Sequence, residues 1–520
     1  MNRILKSIAL LLVVSSTWAQ LPKDSLWHLL PNNKKRNSGI GYEEAVQMMK
    51  GKKSSVVIVA IADAGVDIYH PDLRNMIWEN PGEIMDNQID DDQNGYVDDL
   101  YGWNFIGNTT YDNMELTRKY ARLNEKFELK PEVQVNYPDE YATYLQIKAA
   151  YLNESKESKL YYEFFLNMYD GLVAIEEQYD GPIEITTIEN HKSKNKGEEM
   201  GKMMALQYAK STKNFDFQSL KKELKEGFKQ FEYQYKYAYN PKFDPRPDSV
   251  GDNYLDLENR IYGNNRVYYG EDFSSHGTHV AGIVAADGSN DFGAVGICQN
   301  CKIMSIRNVP EGDERDKDVA NGIRYAVDNG AKIINMSFGK GYAEHLNYVK
   351  EAIEYAASHD VLLVHAAGND GKNNDISDNY PNDFQDTYPN WIEVGASSWN
   401  AKPRAIAPFS NYGRSSVDIF SPGVDIYSTT PENTYEKYDG TSMASPVVSG
   451  VAAFVWSYYP ELSAVQLKSI ILNSAIPIKG RNKIPGSRKR TKVSQISKTG
   501  GLVNLPGALR LAEQLIQSES

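Results

Sequence analysis

Cysteine is scarce in this 520-residue chain, with only Cys298 and Cys301 present, and basic residues (56) are outnumbered by acidic ones (69), giving a net charge of −13. Two cysteines do not complete a structural zinc site without recruited ligands. The Cys-x-x-Cys pair also precedes an apolar run instead of opening a helix, which argues against thioredoxin-like redox work. In an exported protein such a pair is expected to form a small local disulfide, with free thiols as the alternative. The acidic balance excludes nucleic acid as a default partner unless cations are concentrated on one surface. Beyond the N-terminus no run reaches the ~18 to 20 apolar residues that span a bilayer. No internal repeat is present.

The N-terminus carries Arg3 and Lys6, an apolar stretch over 8–14 and small residues at Thr17 and Ala19. This pattern predicts a secretory signal peptide over 1–19, cut after Ala19, and an exported product in the periplasm or the medium.

Apolar, β-branched runs occur at 55–62, 303–306, 333–336, 361–366 and 391–396, with amphipathic stretches at 318–329 and 345–358 between several of them. Continuous apolar runs suit strands buried on both faces, and their alternation with helices predicts a doubly wound, mainly parallel α/β sheet. Reactive side chains then belong at the carboxyl ends of the strands. Residues 108–262 break this rhythm. Between Tyr111 and Arg260 lie 27 acidic and 22 basic residues and 16 of the 35 tyrosines, with helical spacing over 116–127, 162–179 and 217–233. A helical insertion between two parts of one domain, 20–107 and 263–520, is expected.

Three segments place reactive groups usefully. Asp63 ends the first buried run, and Gly65 permits a sharp exit. Ser275-His276-Gly277-Thr278-His279-Val280-Ala281-Gly282 predicts a helix that small residues allow to pack closely. Its histidine pair lacks the glutamate of a His-Glu-x-x-His zinc hydrolase. Gly440-Thr441-Ser442-Met443-Ala444-Ser445-Pro446 leads into an apolar run, and Pro446 is expected in the first helical turn, which puts Ser442 at or just before a helix N-terminus. A serine hydroxyl becomes nucleophilic when an imidazole removes its proton and a buried carboxylate fixes that imidazole. Asp63, His276 and Ser442 can supply the three roles.

In that order these segments resemble the subtilisin-like serine proteases. The resemblance extends to 334–339, 366–369 and 409–413, and covers about 40–107 and 263–515, outside the insertion. It implies an endopeptidase acting on protein or peptide substrates through an acyl-enzyme on Ser442. It further implies that Asn369 is a side-chain donor to the oxyanion, that Ser337, Phe338 and Gly339 pair with substrate backbone, and that Ala366, Ala367 and Gly368 wall the primary specificity pocket. Small walls favour a sizeable apolar side chain beside the scissile bond. His279 is structural on the same grounds, and His365 receives no role. A neutral His276 requires activity to rise from mildly acidic to neutral pH.

Asp90, Asp92, Asn94 and Asp98 offer side-chain oxygens at alternate positions, with Gly95 at the sixth place of the loop and the Tyr96 carbonyl after it. This is half of an EF-hand loop and predicts structural calcium, with a solvated acidic turn as the alternative. The resemblance supports calcium and suggests a second site using Asp72 near Asn290. Eight cations and no acidic residue occupy 479–498, read as a solvated loop or as a surface for an acidic ligand.

Overall fold

A computed structural model describes residues 26–31, 39–212, 214–290, 292–384, 387–400 and 404–519. The predicted signal peptide lies outside these residues. Two compact units are present, a helical one over 116–244 and an α/β unit formed by the described residues up to 115 together with those from 245 onward. The helical unit is thus narrower than the insertion expected over 108–262, and the flanks 108–115 and 245–262 pack with the α/β unit.

The α/β unit is built on β1 (Val57–Asp63), β2 (Gly102–Asn104), β3 (Cys301–Arg307), β4 (Ile333–Met336), β5 (Leu362–Ala366), β6 (Trp391–Ser397) and β7 (Ile419–Pro422). Together with β10 (Ile476–Pro477) and β13 (Gly501–Leu502) they form one sheet in the order β10-β13-β7-β6-β5-β4-β1-β3-β2. Every neighbouring pair is parallel except β10 with β13. Strands β4 to β7 are buried at every position, the polar Asn335, His365, Glu393 and Ser421 included, as expected of strands covered by helices on both faces. Register pairs Asp63 with Arg307 and Ala62 with Met336, so β1, β3 and β4 end together, and the chain after β4 and β5 leaves from the same side.

The helical unit contains α1 (Glu115–Phe127) from Leu116 onward, and α2 (Pro138–Glu176), α3 (Lys196–Ser211) and α4 (Phe217–Tyr233), which pack around Phe165, Leu172, Ile175, Ala205, Leu220 and Leu224. The helix expected over 162–179 is the second half of the 39-residue α2. Helix α3 escapes the apolar periodicity, yet Asn195 caps it by accepting from Glu198 N, an Asn-x-x-Glu signal present in the sequence.

In the α/β unit α5 (Glu271–Ala285) carries His276, followed by α6 (Asp316–Asp328), α7 (Leu346–Ser358), the pair β8 (Ile426–Thr430) and β9 (Thr434–Tyr438), and α8 (Thr441–Tyr458). Close packing of α5 is confirmed: a Cβ on Gly277 would stand 2.2 Å from Gly65 O, and one on Gly282 2.2 Å from Thr429 Oγ1. The expected disulfide is corrected. Both cysteines are buried thiols, and Cys301 Sγ donates to Cys298 O at 2.9 Å. Burial also raises the Cys301 thiol well above its ordinary range.

Candidate active site

Asp63, the last residue of β1, is buried, and its carboxylate faces His276 Nδ1 at 2.8 Å (Oδ1) and 3.0 Å (Oδ2). Gly65, at φ +110°, turns the chain away immediately afterwards, and the missing side chain at Gly277 lets α5 approach. With Nδ1 donating to Asp63, Nε2 of the neutral ring is left as the acceptor. The imidazole is 40% exposed, so its far edge stays accessible. Burial lowers its pKa, but the Asp63 carboxylate and then Glu311 outweigh burial and hold it above the ordinary histidine value of 6.5.

Ser442 is the second residue of α8, where backbone N–H groups have no partner within the helix. The Thr441 N–H goes to Asn369 Oδ1, and those of Met443 and Ala444 go to Gly440 O. Among the described residues nothing accepts from the Ser442 N–H. Pro446 is not in the first turn as expected but is the sixth residue of α8. It therefore cannot donate to Ser442 O, and the Ser337 hydroxyl takes that place at 2.9 Å. Ser337 Oγ in turn accepts from Asn335 Nδ2 at 2.9 Å, and Asn335 Oδ1 accepts from Ser445 and Ser449. This buried network fixes the start of α8 against the end of β4. Ser442 Oγ itself donates to Ser337 O at 3.1 Å, and no hydrogen bond joins it to His276 in this arrangement.

Asn369 follows β5. Its Oδ1 accepts from Thr441 N at 2.9 Å and Thr441 Oγ1 at 3.0 Å, which fixes the amide and turns Nδ2 toward Gly440, 3.7 Å from where a Cβ would stand. Asn369 Nδ2 and the Ser442 N–H are thus two donors at the start of α8, of the kind that can hold a developing oxyanion.

The segment Ser337-Phe338-Gly339 leaves β4 and is anchored at its far end by Lys340, whose buried ammonium contacts Asp316 at 2.7 Å and Glu115 at 3.1 Å. Ala366, Ala367 and Gly368 continue β5, with Ala367 N donating to Val394 O. One residue escapes the sequence reading. The Asn379 amide lies between the two segments, its Oδ1 2.5 Å from a Cβ built on Gly339 and 3.5 Å from one built on Gly368, while Nδ2 donates to Ala366 O at 3.2 Å. The glycines at 339 and 368 carry a signal of close approach, but nothing in the sequence names the group approaching.

His279 is buried, stacks on Tyr438 at 4.3 Å and contacts Glu436 O at 3.1 Å through Nε2. Burial lowers its pKa to about 3. His365 is also buried, with Nδ1 3.0 Å from Glu393 Oε2.

In the acidic loop, ligand atoms of Glu83, Asp90 and Asp92 lie within 4.8 Å of one another. Asp90 and Asp92 are thus brought together, joined by Glu83, which the loop pattern did not include. Asp98 is turned elsewhere, its carboxylate accepting from Asn87 N and Gln88 N. Asn94 Oδ1 accepts from Tyr96 N, and the Tyr96 ring packs on Trp103, Phe105 and Tyr325. At Asp72, Asn290 Nδ2 and Ala294 N both donate to the carboxylate.

The model of the subtilase family matches residues 54–502 of the chain. The chain belongs to the subtilase family. It is a subtilisin-like serine protease on an α/β fold with a mostly parallel central sheet. It is 38% identical to subtilisin DY of Bacillus licheniformis over 209 residues, covering 40% of this chain and 72% of that protein. It is also 39% identical to the thermophilic serine proteinase of Bacillus sp. (strain AK1) over 187 residues, covering 36% of this subtilase and 43% of that proteinase. Among solved structures, a point mutant of the protease domain of PatA is 28% identical with a TM-score of 0.39, covering 48% of this chain and 84% of that one. Among the described residues no helix of this subtilase is long and apolar enough to cross a membrane.

Proposed function

We propose that this subtilase is an exported endopeptidase whose reacting groups are Ser442, His276, Asp63 and Asn369. The observation that carries the reading is the pairing of buried Asp63 with His276 Nδ1 at 2.8 Å, with Ser442 in the first turn of α8. Substrate binding releases Ser442 Oγ from Ser337 O. His276 Nε2 then takes the hydroxyl proton as Oγ attacks the peptide carbonyl, and Asp63 stabilises the imidazolium that forms. The carbonyl oxygen, now negative, is held by Asn369 Nδ2 and the Ser442 N–H. Collapse transfers the proton from His276 to the leaving amine and leaves an ester on Ser442, which water hydrolyses with His276 again as base. Asn379 sets the depth and polarity of the pocket between Gly339 and Gly368, so a medium or polar side chain replaces the large apolar one as the favoured residue beside the scissile bond.

The oxygen donors Glu83, Asp90 and Asp92 suit a hard divalent cation, and calcium held there would pin the loop ahead of β2. Export rests on the pattern of residues 1–19.

The reading is tested by digesting an unfolded protein with the wild type and with His276→Ala. Internal cleavage that falls by about 10⁴-fold or more in the variant supports it; equal cleavage by both overturns it.

A further inference from the structure

The cationic stretch 479–498 folds as a hairpin, β11 (Arg481–Lys483) against β12 (Arg490–Lys492). Its register places Arg481 opposite Lys492 and Lys483 opposite Arg490, with Asn482 opposite Thr491 between them. Like charges directly across a ladder destabilise it. Asn482 points inward and is buried, while Lys479, Arg481, Lys483, Arg488, Lys489, Arg490 and Lys492 are all exposed. Among the described residues none of these seven pairs with a carboxylate; the eighth cation, Lys498, does, at 2.9 Å from Asp418. A protein of net charge −13 has ample acid to neutralise such a strip, yet the strip is left unneutralised.

The hairpin is also held in a particular place. Gly486 N donates to Pro408 O at 3.0 Å, and Gly486 packs so tightly on Gly371 that a Cβ on Gly371 would stand 2.8 Å from Gly486 N. Gly371 is two residues beyond Asn369. Two steps along the chain, one backbone contact and two further steps put Arg488 within about 20 Å of Asn369, a distance that five or six extended residues span. The carboxylate nearest in sequence, Asp370, is exposed with Lys372 3.5 Å away.

We infer that the β11–β12 hairpin is a docking element that captures an acidic segment of the polypeptide being cleaved, a few residues from the scissile bond. The inference rests on the protease reading above. Adjacency to Asn369 favours substrate over a distant anionic surface, and clustered cations raise the rate at which an acidic chain reaches the site.

The test uses paired peptides built on a cleavage site mapped in an unfolded protein, one with a block of four Glu, the other with four Gln, placed on either side of the site. The enzymes are wild type and a quadruple variant, Lys483→Ser, Arg488→Ser, Lys489→Ser and Lys492→Ser. For the Glu block on one side, the wild type should show kcat/KM about tenfold or more above the Gln peptide, through KM, with the advantage vanishing near ~0.5 M NaCl. The variant should lose that advantage and cleave the Gln peptide as the wild type does. Equal wild-type rates on all peptides, or an advantage that survives in the variant, overturns the inference while the protease reading stands. It is likewise overturned if the variant keeps the Glu preference and loses only binding to anionic phospholipid vesicles. If neither enzyme cleaves any peptide, the protease reading fails and the inference fails with it.

Discussion

Thr441 holds Asn369 through two hydrogen bonds to one oxygen: Oδ1 accepts from the Thr441 amide at 2.9 Å and from its hydroxyl at 3.0 Å. The same hydroxyl accepts from Gly368 N at 3.1 Å, tying the amide to the pocket wall. Asn369→Ala is expected to lower kcat about 100- to 1000-fold with little change in fold, the loss that follows removal of a single oxyanion donor in a subtilisin. Thr441→Val keeps the backbone bond and loses the hydroxyl, so its loss should be smaller, roughly 2- to 12-fold. Steady-state kinetics on one peptide rank the two; an Asn369→Ala loss no larger than that of Thr441→Val would contradict the donor role of Asn369.

In the proposed mechanism the acid limb of activity is set by His276, which works as a base only when neutral. Burial opposes the imidazolium, but Asp63 and Glu311 stabilise it by more and raise the pKa, so the proton stays on to higher pH. Activity should therefore rise at a pH above the ordinary 6.5, higher than the mildly acidic onset expected from an unperturbed ring. Glu311→Gln removes one of the anions and should move the limb of kcat/KM to lower pH. A limb that stays fixed or moves upward would contradict the assignment.

Chelation should destabilise the protein through the loop of Glu83, Asp90 and Asp92. With free calcium at about 100 times its Kd, the site contributes about 2.7 kcal/mol, read as a fall in Tm on adding EDTA. Glu83→Gln and Asp90→Asn should each shrink that fall. Asp98→Asn should not, because its carboxylate lies outside the cluster of Glu83, Asp90 and Asp92.

Pocket depth is tested at Asn379. Asn379→Gly should extend cleavage to sites after Phe, Tyr and Leu, scored by mass spectrometry of digests. An unchanged profile would place the specificity pocket elsewhere.

The sheet and the candidate reacting groups are legible in the sequence because they depend on local pattern. The apolar run at 55–62 predicts a strand buried on both faces, and Gly-Thr-Ser-Met-Ala-Ser-Pro carries its helix start with it. What stays hidden depends on side chains meeting across the fold. Asn379 reaches the pocket from a segment 13 residues after Ala366, and Glu83 reaches the acidic loop from outside its alternating pattern. Pattern alone puts Pro446 one turn too early because proline is commonest at helix starts; here the Ser337 hydroxyl compensates the Ser442 carbonyl that the ring leaves open.

The central claim is that Ser442 is an activated nucleophile, and fluorophosphonate labelling of the purified protein beside Ser442→Ala, read by intact mass, tests it most directly. One phosphonyl adduct on the wild type and none on the variant is the predicted result; equal labelling of both, or none on a folded, calcium-supplied wild type, would contradict it.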